Sequence, residues 1–126
     1  MKTFKKYYLL PAPPEEVYFA LTNPNSIQLW TGEAAIMSEV PGSEFSMWEG
    51  SIVGKNISFE TNKQLVQQWY FGDENPPSIV TIKLHPKGTD TSMEVEHTNI
   101  PDADFNDIVD GWNESYYACL LEFFKE

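Results

Sequence analysis

Apolar and polar residues follow two different periods along the chain, and the changes of period divide it into segments. Alternation at every second residue predicts a strand at residues 3–10 and further strands between residues 36 and 97. Steps of three and four predict helices on either side of the second stretch. The order is strand, two short helices, several strands and one long helix, which indicates an α+β fold.

Prolines mark the boundaries of the two short helices. Pro14 suits the first helical position and is followed by two acidic residues, which favour the positive end of a helix. The residue before a proline is pushed out of the helical region, so Asn23 before Pro24 is expected to end this helix. A second short helix is predicted at residues 25–30.

The middle of the chain predicts about six strands joined by short connections, and hence a curved antiparallel meander. Gly50 and Gly54 lie where such a sheet can bend or bulge. A turn is predicted at residues 73–77 and a hairpin loop at residues 85–90, because both segments contain the residues that favour turns.

The last segment has one broad apolar face. Asp102 or Asp104 is expected to cap its first turn. The apolar positions that recur at steps of three and four are Phe105, Ile108, Val109, Trp112, Tyr116, Cys119, Leu120 and Phe123. A face of this width needs an equally apolar surface to cover it, and the inner face of the sheet is the candidate.

Charge narrows the range of partners. The chain has 126 residues and a formal net charge of −11, and its eight basic residues are all lysines. Nucleic acid is not an expected partner, because phosphate neutralisation and arginine contacts dominate that recognition. An anionic membrane surface is disfavoured for the same reason. A neutral ligand or a basic protein partner is compatible with this charge.

The chain shows no sign of export or membrane insertion. Residues 1–8 contain lysines but no apolar stretch, so we expect no signal peptide, and no apolar run approaches the roughly 20 residues that span a bilayer. Its one cysteine, Cys119, cannot form an intramolecular disulfide, which favours a reducing compartment. We therefore expect a cytoplasmic protein made of one domain over residues 1–126.

His97 is the main candidate for chemistry. Alternation places it on the inner face of the sheet with Met93 and Val95, where a histidine can anchor a ligand or act as a general base. No positioned catalytic partner is visible in the sequence, which favours a core histidine with satisfied hydrogen bonds. His85, in the predicted hairpin loop, is expected to be exposed. Two separated histidines and one cysteine have no metal-site spacing, so no metal, cofactor or catalytic residue is assigned.

Other reactive side chains have structural explanations. Cys119 lies in the C-terminal half of the last helix, where the helix dipole disfavours a thiolate, so it is interpreted as a core residue. The aspartates near the start of that helix do not have the spacing of a calcium loop. Glu33 and Glu44 are candidates for the mouth of a cavity.

Several ordered segments carry a family resemblance. They are residues 14–18, 22–30, 42–47, 65–71, 78–82 and 100–101, with Gly50, Gly54, Gly111, Trp112 and Tyr116. Together they resemble the START-like helix-grip superfamily, and more narrowly the activator of heat-shock protein 90 ATPase family in its C-terminal-domain type. The resemblance covers nearly the whole chain. It implies a curved antiparallel sheet around a long C-terminal helix, and relatives that are chaperone co-factors or apolar-ligand carriers.

A sheet gripping a helix often leaves an apolar cavity of roughly 300–1,000 Å³. We therefore expect a non-enzymatic domain that binds a small apolar or amphipathic ligand there. The predicted site consists of Trp30, Phe45, Met47, Trp69, Val80, Ile82, Met93, Val95, His97, Trp112 and Tyr116. The same residues would also suit a solid core, which differs from a pocket in volume and not in composition. The alternatives are a protein-interaction module with a chaperone or other protein partner, and a cyclase- or hydratase-type enzyme using His97.

Overall fold

A computed structural model describes residues 1–72 and 76–125 and confirms the α+β helix-grip fold. Within these residues six strands form one antiparallel sheet in the order β1-β6-β5-β4-β3-β2. The strands are β1 (Lys2–Leu10), β2 (Glu44–Met47), β3 (Ile52–Glu60), β4 (Gln64–Trp69), β5 (Ser78–Lys87) and β6 (Asp90–Ile100). The C-terminal helix packs against the inner face of this sheet, as the stacked rings of Trp69 on β4 and Trp112 on the helix show.

The two short helices are α1 (Pro14–Thr22) and α2 (Pro24–Thr31), and their boundaries follow the prolines as predicted. Asn23 ends α1 and starts α2, and its side chain accepts a hydrogen bond from the Ser26 amide at 3.0 Å. This bond satisfies one of the free amides at the start of α2. No helix within the described ranges is long and apolar enough to cross a membrane.

Two connections differ from the prediction. The alternation at residue 36 gives only a single bridge between Ile36 and Ser46, and the first strand after the helices begins at Glu44. In place of the predicted loop at residues 85–90, a two-residue turn at residues 88–89 joins β5 to β6. Gly88 permits this tight turn because it adopts a φ of 63° at the first central position. His85 therefore lies on β5. Residues 73–75 of the predicted turn at 73–77 lie outside the described residues.

Gly54 has a packing role, and it lies in regular register with both neighbouring strands and not at a bulge. It pairs with Phe45 on β2, and a Cβ on Gly54 would lie 1.9 Å from the Gln68 carbonyl oxygen and 2.9 Å from the Phe45 ring. A bulge lies further along β3, where the register against β4 shifts between Asn56 and Ser58. Glycine is required at 54 because two neighbouring strands approach its backbone closely.

The C-terminal helix consists of α3 (Phe105–Gly111), a π-type turn at Trp112–Tyr116 and α4 (Tyr117–Phe124). Asp104 occupies the N-cap position without a side-chain capping bond, and Asp102 pairs instead with the N-terminal amine at 2.9 Å. The predicted side-chain cap is therefore absent. An α-helix turns every 3.6 residues, so apolar positions spaced by four drift around it, and the wider π-type turn offsets this drift.

Candidate functional site

All eleven predicted site residues lie in one packed core, and each is at most 5% exposed. They come from α2, from strands β2, β4, β5 and β6, and from the C-terminal helix. The space between the sheet and the helix is therefore largely filled by side chains. Only Trp69, Trp112 and Tyr116 of this set also border an open groove. Ligand binding by the eleven residues stays a prediction.

The four tryptophans of the chain and Tyr116 form one aromatic cluster. Trp69 and Trp112 stack with their ring centroids 5.0 Å apart and their planes at 17°. The Tyr116 ring lies 4.5 Å from Trp112, and the Trp30 and Trp48 rings meet edge to face at 5.6 Å. Such offset and edge-on contacts are favourable beyond the area they bury. The cluster therefore places every tryptophan of the chain near the groove.

His97 is fully buried and both of its ring nitrogens are hydrogen-bonded. The Trp112 indole N–H donates to Nδ1 at 3.1 Å, and Nε2 lies 2.9 Å from the Ser78 hydroxyl oxygen. An indole nitrogen can only donate, so the hydrogen-bond network assigns the ring proton to Nε2, which donates to Ser78. The Ser78 hydroxyl in turn donates to the Thr98 carbonyl at 3.1 Å.

These contacts hold His97 in its neutral form. Burial lowers the pKa of His97 to about 4, because a charged ring would lose its hydration. Protonation at Nδ1 would also place two donors, the ring N–H and the Trp112 indole, against each other. A general base needs access to water and a free lone pair, and the burial of His97 and its contacts leave it neither.

A second buried polar chain lies beside His97. The Trp69 indole N–H donates to the Gln67 amide oxygen, and the Gln67 amide donates to the Asn56 amide oxygen, both at 3.0 Å. The Asn56 amide nitrogen then reaches the Ser38 carbonyl and the Ser43 hydroxyl, each at 3.2 Å. The inward alternation of β4 predicts that Gln67 is buried, but it gives no indication of Asn56, which lies at the bulge.

The remaining reactive side chains agree with a structural role. Cys119 is half-buried in α4 and packs against the core. Within the part of the chain that the structure describes, no group of three or more histidine, cysteine or acidic side chains could hold a metal ion. His85 is exposed, as predicted, and bonds the Glu94 carboxylate at 2.8 Å on the outer face of the sheet.

An open groove of about 570 Å³ lies between the sheet and the C-terminal helix. It borders on the beginning of β3, the turn before that strand, and α3 with the π-type turn. Its apolar lining consists of Trp48, Ile52, Trp69, Ile108, Trp112 and Tyr116, and its polar lining consists of Glu33, Glu49, Ser51, Asp107 and Ser115. Gly111 completes the lining, and a Cβ on it would meet no atom within 4 Å.

The backbone at one side of the groove is strained. Trp48 and Glu49 adopt φ values of 51° and 53°, and the following Gly50 has a φ of 89°. Residues other than glycine rarely adopt this left-handed conformation, and residues held in it are often found at functional sites. The turn presents Trp48 to the cluster at 6.1 Å from the Tyr116 ring. The strained turn at Trp48–Gly50 and the π-type turn at Trp112–Tyr116 therefore both line the same groove.

The sequence pattern does not indicate most of the residues that line this groove. Trp48 and Gly111 were not predicted to line it, because a left-handed turn places the first and the absence of a side chain makes room at the second. Glu33 lines the mouth of the groove as anticipated. Glu44 does not line it, and instead accepts a hydrogen bond from the Tyr70 hydroxyl at 3.3 Å.

Comparison with known proteins decides the family. Residues 11–125 match the family model described as "Activator of Hsp90 ATPase homolog 1-like protein". The chain belongs to this family. Its match to the Hsp90 ATPase activator homologues extends from the proline segment before α1 to the end of the C-terminal helix, so it includes the groove and all of the core except the residues of β1.

Individual relatives agree with this family. The chain is 27% identical over 117 residues to an activator of 90 kDa heat shock protein ATPase homolog from Dictyostelium discoideum, covering 90% of this chain and 30% of that protein. It is 25% identical to the human homolog 1, covering 97% and 36%. The chain thus spans about a third of the length of these relatives. A crystal structure of an Hsp90 activator from Plasmodium falciparum superposes with a TM-score of 0.82 at 24% identity, covering 90% and 89%.

Proposed function

We propose that this chain is a non-enzymatic binding domain that takes a small apolar or amphipathic ligand in the groove between the sheet and the C-terminal helix. The observation that carries the proposal is the open volume of about 570 Å³ bordered by Trp48, Trp69, Trp112 and Tyr116. Ligand sites of this size with mostly aromatic walls and a few polar groups are common. In this proposal, residues 1–126 form a single domain that acts in the cytoplasm.

Tyr116 supplies the polar anchor that His97 cannot. Its side chain is 3% exposed and lines the groove. No described residue hydrogen-bonds its hydroxyl, although every fully buried side-chain nitrogen or oxygen in residues 1–72 and 76–125 has a partner. The hydroxyl must therefore reach the open space. It is available to a ligand that offers a hydrogen-bonding group.

Intrinsic fluorescence tests the proposal. Because all four tryptophans lie in the cluster, we expect a neutral amphipath such as 4-phenylbutanol to change the emission and to raise the melting temperature. A ligand at 100 times its Kd stabilises the fold by about 2.7 kcal/mol. Gly111→Leu places a side chain in the groove and should abolish both effects, because nothing in the fold occupies that space.

Ala118→Leu is the matched control, since it adds a side chain at an exposed position of the same helix outside the groove. It should bind the probe as the unmodified protein does. Equal binding by the Gly111→Leu variant, or no change with any probe of a panel that includes a fatty acid and a planar aromatic, would contradict the proposal.

Membership of the family favours a second candidate, a co-chaperone-like module that binds heat-shock protein 90. Its support is the match over residues 11–125 and the name of the relatives as activators of that ATPase. A pull-down with purified heat-shock protein 90 at low and at high salt tests it. We expect retention at low salt that weakens at high salt, because a surface that binds a chain with a charge of −11 is expected to be basic. No retention at low salt would rule out this candidate.

A further inference from the structure

The charges around the groove narrow the class of ligand. Its polar lining includes three carboxylates, those of Glu33, Glu49 and Asp107, and none of the eight lysines. Among residues 1–72 and 76–125, the acidic residues that form ion pairs are Glu60, Glu94 and Asp102. The three carboxylates of the groove therefore form no ion pair with a described residue. The groove therefore has an uncompensated negative rim.

Two of the carboxylates also repel each other. Glu33 and Glu49 both line the groove, and the pKa of Glu33 is raised by a side-chain hydrogen bond with Glu49, by loss of hydration and by the like charge of Glu49. Glu49 lies in the strained turn at Trp48–Gly50, with a φ of 53°. A positive group between the two carboxylates would replace this repulsion with attraction.

The walls below the rim suit the rest of such a ligand. Trp48 is half-buried at the rim and offers its ring to the groove, while Trp112 and Tyr116 lie deeper. Aromatic faces attract cations, and tryptophan does so most strongly. An apolar body would contact the deeper rings, and a polar group on it would reach the unpartnered Tyr116 hydroxyl.

We infer that the groove selects amphipathic cations, with an ammonium group at the Glu33–Glu49 rim and an apolar body on the aromatic wall. This inference rests on the proposed function and specifies its ligand class. The two separate observations behind it are the charge complementarity of the rim and the unpartnered, 3% exposed Tyr116 in the same groove.

Three probes with one apolar body test the inference: 4-phenylbutylamine, 4-phenylbutanol and 4-phenylbutyrate. At low ionic strength we expect the amine to bind about tenfold more tightly than the alcohol, and the acid about tenfold more weakly. Calorimetry or tryptophan emission gives the three Kd values for the whole chain.

Variants separate the charge effect from the groove itself. Glu33→Gln combined with Glu49→Gln should bring the amine to within about twofold of the alcohol and leave the alcohol unchanged. Glu15→Gln combined with Glu122→Gln makes the same change in net charge at exposed helix positions outside the groove, and should preserve the order. Equal binding of amine and alcohol by the unmodified protein would overturn this inference alone. Binding of none of the three probes would overturn the proposed function as well.

Discussion

Gly54→Ala should lower the free energy of unfolding by about 3 kcal/mol or more, because the added methyl would overlap backbone. The new Cβ would lie 1.9 Å from the Gln68 carbonyl oxygen, so β3 and β4 would have to move apart. The Phe45 ring at 2.9 Å blocks the other direction. Urea unfolding followed by circular dichroism measures the effect.

Gly111→Ala is the control, since it makes the same substitution where nothing lies within 4 Å of the new Cβ. Gly111 has helical backbone angles, with a φ of −62°. Alanine favours a helix over glycine, so we expect this variant to gain about 0.5–1 kcal/mol. Effects of equal sign and size at the two positions would refute the packing role of Gly54.

Acidification should destabilise the fold through His97. The pKa of His97 is about 4 in the folded protein and 6.5 in its unperturbed state, so between these pH values the unfolded chain binds the additional proton. The contribution of neutral His97 to the free energy of unfolding is therefore fully present above pH 6.5 and is lost as the pH falls toward 4. The expected loss from this residue is about 3 kcal/mol.

His97→Asn isolates this contribution, because it keeps an acceptor near the Trp112 indole but cannot take up a proton. The variant will be less stable at neutral pH, so the comparison is between the slopes of stability against pH from 6.5 to 4. We expect the slope to be shallower in the variant. Parallel slopes would show that His97 does not carry the effect.

The fold was predictable because its signals are local and repeated. Pro14 and the Asn23–Pro24 pair fix the boundaries of two helices through backbone sterics, whatever the rest of the chain does. The alternation on β4, β5 and β6 likewise reports which face is buried. The π-type turn at Trp112–Tyr116 was not predictable, because its residues also fit an ordinary helix.

The candidate site was less predictable, because a pocket depends on how side chains fill a volume. The sequence pattern correctly places His97 on the inner face, but it does not show that Trp112 and Ser78 hydrogen-bond its two ring nitrogens. The groove depends on three features without a periodic signal: the left-handed turn at Trp48, the missing side chain at Gly111, and the approach of Glu33 from after α2.

The side chains between the sheet and the helix are buried, and the groove is an open space beside them. We therefore expect a solid interior. Hydrogen–deuterium exchange of the four indole N–H groups, followed by NMR, distinguishes this arrangement from a hollow interior. The N–H groups of Trp30, Trp69 and Trp112 donate to the Ala20 carbonyl, Gln67 and His97. We expect slow exchange for these three and fast exchange for the half-buried Trp48. Exchange at Trp69 or Trp112 as fast as at Trp48 would contradict a solid interior, because water would then reach it.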